Sequence, residues 1–203
     1  MTTAITLFQS LISQTVVPKG LFHYIKGQKV PIDASDLLRW EWVLAISALD
    51  KYIHDIVRIG MVEQFLGLRT KTNKFNNFRI DMTKYTDLRT SLSPEIEFEN
   101  EIKRQHGYLA FQHPDKLVDA LSYIWTEEHK WDAISRNMPS PISASDLKTK
   151  LNNIVIRRDQ IVHEGDCFAA SLPLQQQPIN EADTDDVISF ITELVQAIHL
   201  SVV

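Results

Sequence analysis

Arg158, Asp159 and His163 share one short run, Arg157-Arg158-Asp159-Gln160-Ile161-Val162-His163-Glu164-Gly165-Asp166, and their chemistries are complementary. An arginine stays charged and grips phosphate oxygens with paired donors, so Arg158 suits stabilisation of a crowded anionic transition state. Imidazole titrates near neutrality, so His163 can take or give a proton. Asp159, one turn before the histidine, is polar enough to orient either group. A proton carrier beside a permanent cation can serve acid–base chemistry at an anionic centre. The alternative is structural: the same three groups could simply pin a helix end.

The element that carries them reads as a helix from Asp146 to Glu164. Ser143 or Ser145 is placed to cap its start, and Gly165 supplies a left-handed stop. Leu147, Leu151, Ile154, Val155, Ile161 and Val162 recur at helical spacing and define the expected apolar face. Arg158 falls inside that face, and His163 points about 140° away from it around an ideal helix. An arginine so placed must be paired or must line a cleft, because an unpaired buried charge costs several kcal/mol. A helix C-terminus and Asp159 both favour the protonated form of His163.

A second polar set stands upstream. A long helix is expected from about Ala34 to Leu66, capped by Asp33 or Ser35 and apolar almost all round at its centre, Trp42 to Leu49. On it Ser47, Asp50, Lys51, His54 and Arg58 form one stripe by their three- and four-residue spacings. Two readings stand side by side. The stripe could pair internally, Asp50 to His54 and His54 or Asp55 to Arg58, or it could face the Arg158 helix and orient its charged groups.

Elsewhere, residues 3–16 read as a short helix ending before Pro18-Lys19-Gly20, with 20–33 as a connector. Pro94 opens a helical segment that Gly107 closes. Further helices are expected from Pro114 towards Trp125, from Lys130 to Asn137 and from Asp183 to Ser201. A loop with Pro173, Gln175-Gln176-Gln177 and Pro178 precedes the last. Strand signals are scarce, and residues 67–93 carry weak helix signals.

Composition limits the classes. The 203 residues are 44% hydrophobic and 23% charged, which suits a single domain with one sizeable core. The only cysteine, Cys167, rules out an internal disulfide framework and any cysteine-based zinc site, and a reducing, cytoplasmic setting is expected. No apolar run is long enough for a membrane span. The net charge of −5 argues against indiscriminate nucleic-acid coating. Locally the balance differs: Arg69, Lys71, Lys74, Arg79 and Lys84 interleave with Phe75, Phe78 and Tyr85, a mixture suited to single-stranded nucleic acid or to a surface loop with anchoring aromatics. No Lys or Arg follows Arg158, so a polyanion should avoid the C-terminal helix. The remaining histidines show no metal-ligand spacing, and neither metal nor cofactor is expected.

Arg158-Asp159-Gln160-Ile161-Val162-His163 resembles the R-x4-6-H signature of the HEPN superfamily. Taken with the upstream run Ser47-Ala48-Leu49-Asp50-Lys51-Tyr52-Ile53-His54-Asp55-Ile56-Val57-Arg58, the chain is similar to RiboL-PSP-type HEPN domains over roughly residues 34–200. The resemblance implies an all-α helical bundle with additional short helices, forming one domain over 1–203 with residues 3–16 as an extension. It also implies a homodimer in which two Arg/His motifs meet. Many such domains are metal-independent endoribonucleases of toxin or antiphage systems; others bind RNA or a partner such as a nucleotidyltransferase antitoxin. Carried onto this sequence, Arg158, His163 and Asp159 are the catalytic candidates, with Arg157, Asp50 and His54 supporting and Lys71, Lys74 and Arg79 contacting RNA. Asp159 stands where many relatives have asparagine and brings a negative charge close to Arg158.

Overall fold

The computed structural model describes residues 2–29, 31–168, 173 and 175–202, and these form an all-α bundle. Its axis is α3, Ser35–Phe65, whose Ala45, Ile46, Leu49, Ile53, Ile56 and Val57 are buried. Around it pack α1 (Thr2–Ile12), α2 (Val16–Gly27), α6 (Pro94–His106), α7 (Pro114–Leu121), α9 (Ala144–Glu164) and α10 (Glu181–Val202). Three short helices complete the order: α4 (Asn73–Asn76), α5 (Met82–Thr90) and α8 (Lys130–Arg136). Among the described residues the one strand-like feature is an isolated antiparallel bridge between Cys167 and Gln176. No helix is long and apolar enough to cross a membrane.

Two expectations at the N-terminus change. The segment predicted as a connector is largely α2, which continues from a 3-10 turn at Ser13–Thr15 and runs through Pro18. A proline is tolerated there because the first N–H groups of a helix have no intrahelical partner to lose. Nor is α1 peripheral to the core. Phe8 is buried and meets the Tyr52 ring edge-on, with centroids 5.9 Å apart.

The helix carrying the motif is held at both ends and in the middle. Ser143 Oγ accepts from the Asp146 amide at 3.0 Å and donates to the Asp146 carboxylate at 2.7 Å, so α9 starts two residues before the expected Asp146. Trp42 Nε1 reaches from α3 to the Ile154 carbonyl at 3.1 Å. At the far end Gly165 takes the predicted left-handed conformation, with φ 62°. The buried face is narrower than the spacing suggested. Leu147, Leu151, Ile154 and Val155 are buried, Ile161 is half-buried and Val162 is 45% exposed. In the connection to α10, positions 169–172 and 174 of the expected loop lie outside the described residues.

On the opposite side of α3, Glu41 is 1% exposed, and its Oε1 has no hydrogen-bond partner. Burial pushes its carboxyl up to about 7, while Lys19 opposes the shift and Asp185 and Glu181 add to it. The unfolded chain ionises Glu41 near 4.5, so the stability that the protonated side chain supports is present below that pH. It is lost as pH rises towards the folded value. Urea unfolding of wild type and Glu41→Gln from pH 4.5 to 8 should therefore show the variant more stable at pH 8, by roughly 1–3 kcal/mol, with a flatter profile. Parallel profiles would refute this origin for the slope.

Candidate active site

The C-terminal turn of α9 is fastened by a buried charge cluster whose carboxylate lies just past the helix. Asp166, 0% exposed and left-handed with φ 58°, receives Arg39 Nε from α3 at 2.8 Å and Arg157 Nη2 from α9 at 2.8 Å. Arg157 Nε approaches its other oxygen to 2.6 Å without the alignment of a hydrogen bond, so that contact is ionic. Arg39 Nη2 also donates to the Gln177 carbonyl at 2.7 Å and its Nη1 to Ser35 Oγ at 2.7 Å, while Arg157 Nη2 reaches the Pro178 carbonyl at 3.2 Å as well. Arg157 is thus committed to this cluster. Asp166 and Arg39 escaped the sequence reading, although an aspartate directly after a helix-ending glycine is one of the few side chains that tolerates a positive φ.

With Arg157 turned to this cluster, its neighbour Arg158 is turned the other way. Arg158 lines a cavity of about 640 Å³ together with Ser47, Asp50, Lys51, His54 and Arg58, the polar stripe of α3. That stripe pairs internally, with Asp55 accepting from Lys51 at 2.5 Å and from Arg58 at 3.1 Å, and His54 Nε2 lying 3.7 Å from Asp50 Oδ2. It also faces the motif helix.

Besides lining the cavity, Asp50 and His54 hold the loop that follows α6. The Phe111 amide donates to Asp50 Oδ1 at 2.6 Å, and His54 Nε2 donates to the Leu109 carbonyl at 3.1 Å. The loop leaves α6 through Gly107, where a Cβ would stand 2.7 Å from the Lys103 carbonyl oxygen. Its Gln112 then donates to Asp159 Oδ1 at 3.4 Å, and the same oxygen accepts from Arg158 Nη1 at 3.0 Å. A chain of contacts therefore runs from α3 through the loop to Arg158. His113, missed in the sequence because it is distant along the chain, lies 3.5 Å from Asp159 Oδ2. With its carboxylate so engaged, Asp159 makes no ion pair with His163 among the described residues.

His163 does not line the cavity. It is exposed, on the face of α9 that carries Ile156, two turns earlier and also exposed at 46%. The chain therefore presents Arg158 inward to a cavity and His163 outward to solvent, in keeping with the angle of about 140° between them.

The basic segment 69–84 is less available than its composition suggested. Phe75 and Phe78 pack edge-on against Phe98, each with centroids 6.0 Å away, so they are anchors of the bundle. Lys74 is paired with Asp119 and sits 4.5 Å above the Tyr123 ring. Lys71 lies 5.9 Å from the Phe75 centroid, and Arg79 is exposed. None of Lys71, Lys74 and Arg79 lines the cavity at Arg158. Among the described residues no cluster of His, Cys, Asp or Glu is arranged to hold a metal ion.

The two neighbouring arginines should respond differently to loss of their contacts. Asp166→Ala leaves Arg39 buried beside the vacated position and is expected to cost about 3–5 kcal/mol. Arg158→Ala removes a partly exposed pair and should cost less than about 1 kcal/mol. Urea denaturation of both variants checks this, and equal losses would contradict it.

Comparison with known proteins adds one positive finding. The family model described as RiboL-PSP-HEPN matches residues 19–203, beginning within α2 and running through α10. No curated protein and no solved structure matches the chain. Domains of this kind are commonly ribonucleases. With nearly the whole chain matched and an all-α bundle observed, the protein belongs to the RiboL-PSP-HEPN family.

Proposed function

We propose that the protein is a metal-independent endoribonuclease whose active centre forms when two copies bring Arg158 and His163 together. The observation that carries this reading is the division of the motif within one protomer: Arg158 lines a cavity and His163 is exposed on another face of the same helix. A twofold partner is the simplest way to place cation and imidazole on one phosphate. The surface around the motif suits such a partner. Trp40 is 46% exposed and lines a shallow pocket with Val43, Ile161 and Gly165, beside Val162.

In the resulting site one His163 takes the proton from a 2′-OH, whose oxygen attacks the adjacent phosphorus. The partner's His163 protonates the departing 5′-oxygen. Arg158 holds the negative charge that builds on the phosphorane. The bond formed is O2′–P and the bond broken is P–O5′, leaving a 2′,3′-cyclic phosphate and a 5′-hydroxyl. A role in a toxin or antiphage system, restrained by a partner protein, fits an activity that would harm its host.

One observation favours a second reading. Asp159 engages Arg158 at 3.0 Å, and an arginine so neutralised suits a catalytically silent module that binds RNA or a partner protein. Incubation with single-stranded and structured RNAs in EDTA separates the two. The nuclease cleaves under chelation and leaves cyclic phosphate ends. His163→Ala should lower the rate by roughly 10²–10⁴ and Arg158→Ala by roughly 10²–10³. Equal background in all three proteins would establish the silent module, and activity lost on chelation would refute metal independence.

A further inference from the structure

The cavity at Arg158 holds more than the proposed phosphate chemistry uses. Buried side-chain atoms without a hydrogen-bond partner are few among the described residues, yet three of them, Asp55 Oδ2, His106 Nε2 and Arg158 Nε, belong to residues that line this cavity. Each such group is destabilising while it has no partner. Their concentration in one place marks a cavity wall whose polar groups are not all satisfied within the chain. His106 is 5% exposed, and burial pushes it down to about 4, so at neutral pH it is an uncharged ring able to donate or accept.

The cavity's charge pattern limits what can occupy it. Its cations are already matched: Lys51 and Arg58 with Asp55, Arg58 and Lys103 with Glu99, Arg158 with Asp159. A bare multivalent anion filling the space would have to break the pairs at Asp55 and Glu99. A neutral planar group with donors and acceptors on its edges would not. The wall also offers apolar surface, with Ile102 and Leu109 beside the His54 ring, whose centroid lies 4.4 Å from that of Phe111 behind it, the planes tilted by 38°. At about 640 Å³ the space is within the roughly 300–1,000 Å³ of small-molecule sites.

We infer that this cavity receives one unstacked nucleobase of the RNA, next to the phosphate held by Arg158, and so selects the nucleotide at which the strand is cut. The inference rests on the nuclease reading for its place beside the scissile bond, but its test needs no cleavage. Extrusion of one base into a pocket, with its edge read by hydrogen bonds, is the usual way a protein reaches a single nucleotide.

The probe is an uncleavable 2′-O-methyl RNA oligonucleotide, compared by fluorescence anisotropy with the same strand made abasic and, by calorimetry, with nucleoside monophosphates. Two variants fill the cavity from exposed positions, Leu109→Trp and Ser47→Trp, with unfolding midpoints confirming that each folds. The intact strand should bind at least tenfold more tightly than the abasic one, and either tryptophan should erase that difference. Equal affinity for abasic and intact strands, or a difference that survives both tryptophans in folded protein, would overturn the pocket. Tighter binding of a free monophosphate than of the strand would overturn RNA as the source of the base. A protein that binds in this way but cuts nothing keeps the pocket and loses the nuclease. One that cuts RNA but fails here does the reverse.

Discussion

The carboxylate of Asp166, closed off from solvent between guanidinium groups from α3 and α9, sets the position of everything near the motif. Isolated, that charge could not be buried; flanked by Arg39 and Arg157 it becomes a clamp whose loss would leave charges unmatched in the interior. Because Arg157 is committed to it, the rotation of the last turns of α9 is settled. Arg158 must then turn to the α3 side, and His163 must face out. The left-handed turn at Gly165 and Asp166 brings the carboxylate back under the helix, so turn and clamp depend on one another.

A second network works from the other direction. Asp50 and His54 do not touch Arg158; they hold the segment after α6, and that segment's Gln112 reaches Asp159, which in turn holds Arg158. The guanidinium is therefore positioned from one side by its own helix and from the other by a loop anchored on the core helix. Positioning of this kind limits the motion of a long side chain before any substrate arrives, which is the condition under which a cation is worth most to a transition state. Asp159 has a double effect here: it fixes Arg158 and partly offsets its charge.

The helices were largely legible in the sequence because local rules governed them. Pro94 and Gly107 bound α6, Ser143 and Gly165 bound α9, and the apolar centre of α3 announced a helix enclosed on several sides. The N-terminal region was misread because Pro18 was taken as a stop, whereas in a helix starting at Val16 it removes no hydrogen bond. Within the site, Arg158 could be read as anomalous from its angle on the helix alone. Asp166 could not, since its two partners come from α3 and from a neighbouring turn of α9. The contribution of His106 and Leu109 to the cavity depends on how α6 and its loop fold back over α3, a long-range contact that no periodicity reports. For Phe75 and Phe78 the sequence left two readings open, stacking on bases or anchoring a loop, and their edge-on packing against Phe98 fits the second.

A monomer that separates Arg158 from His163 makes the proposed chemistry a property of the pair. Specific cleavage rate measured across a dilution series, with the dimer fraction followed in parallel by analytical ultracentrifugation, tests this most directly. The rate per protomer should fall in step with the dimer fraction and vanish where the protein is monomeric. An undiminished rate in fully monomeric protein would contradict a shared active centre.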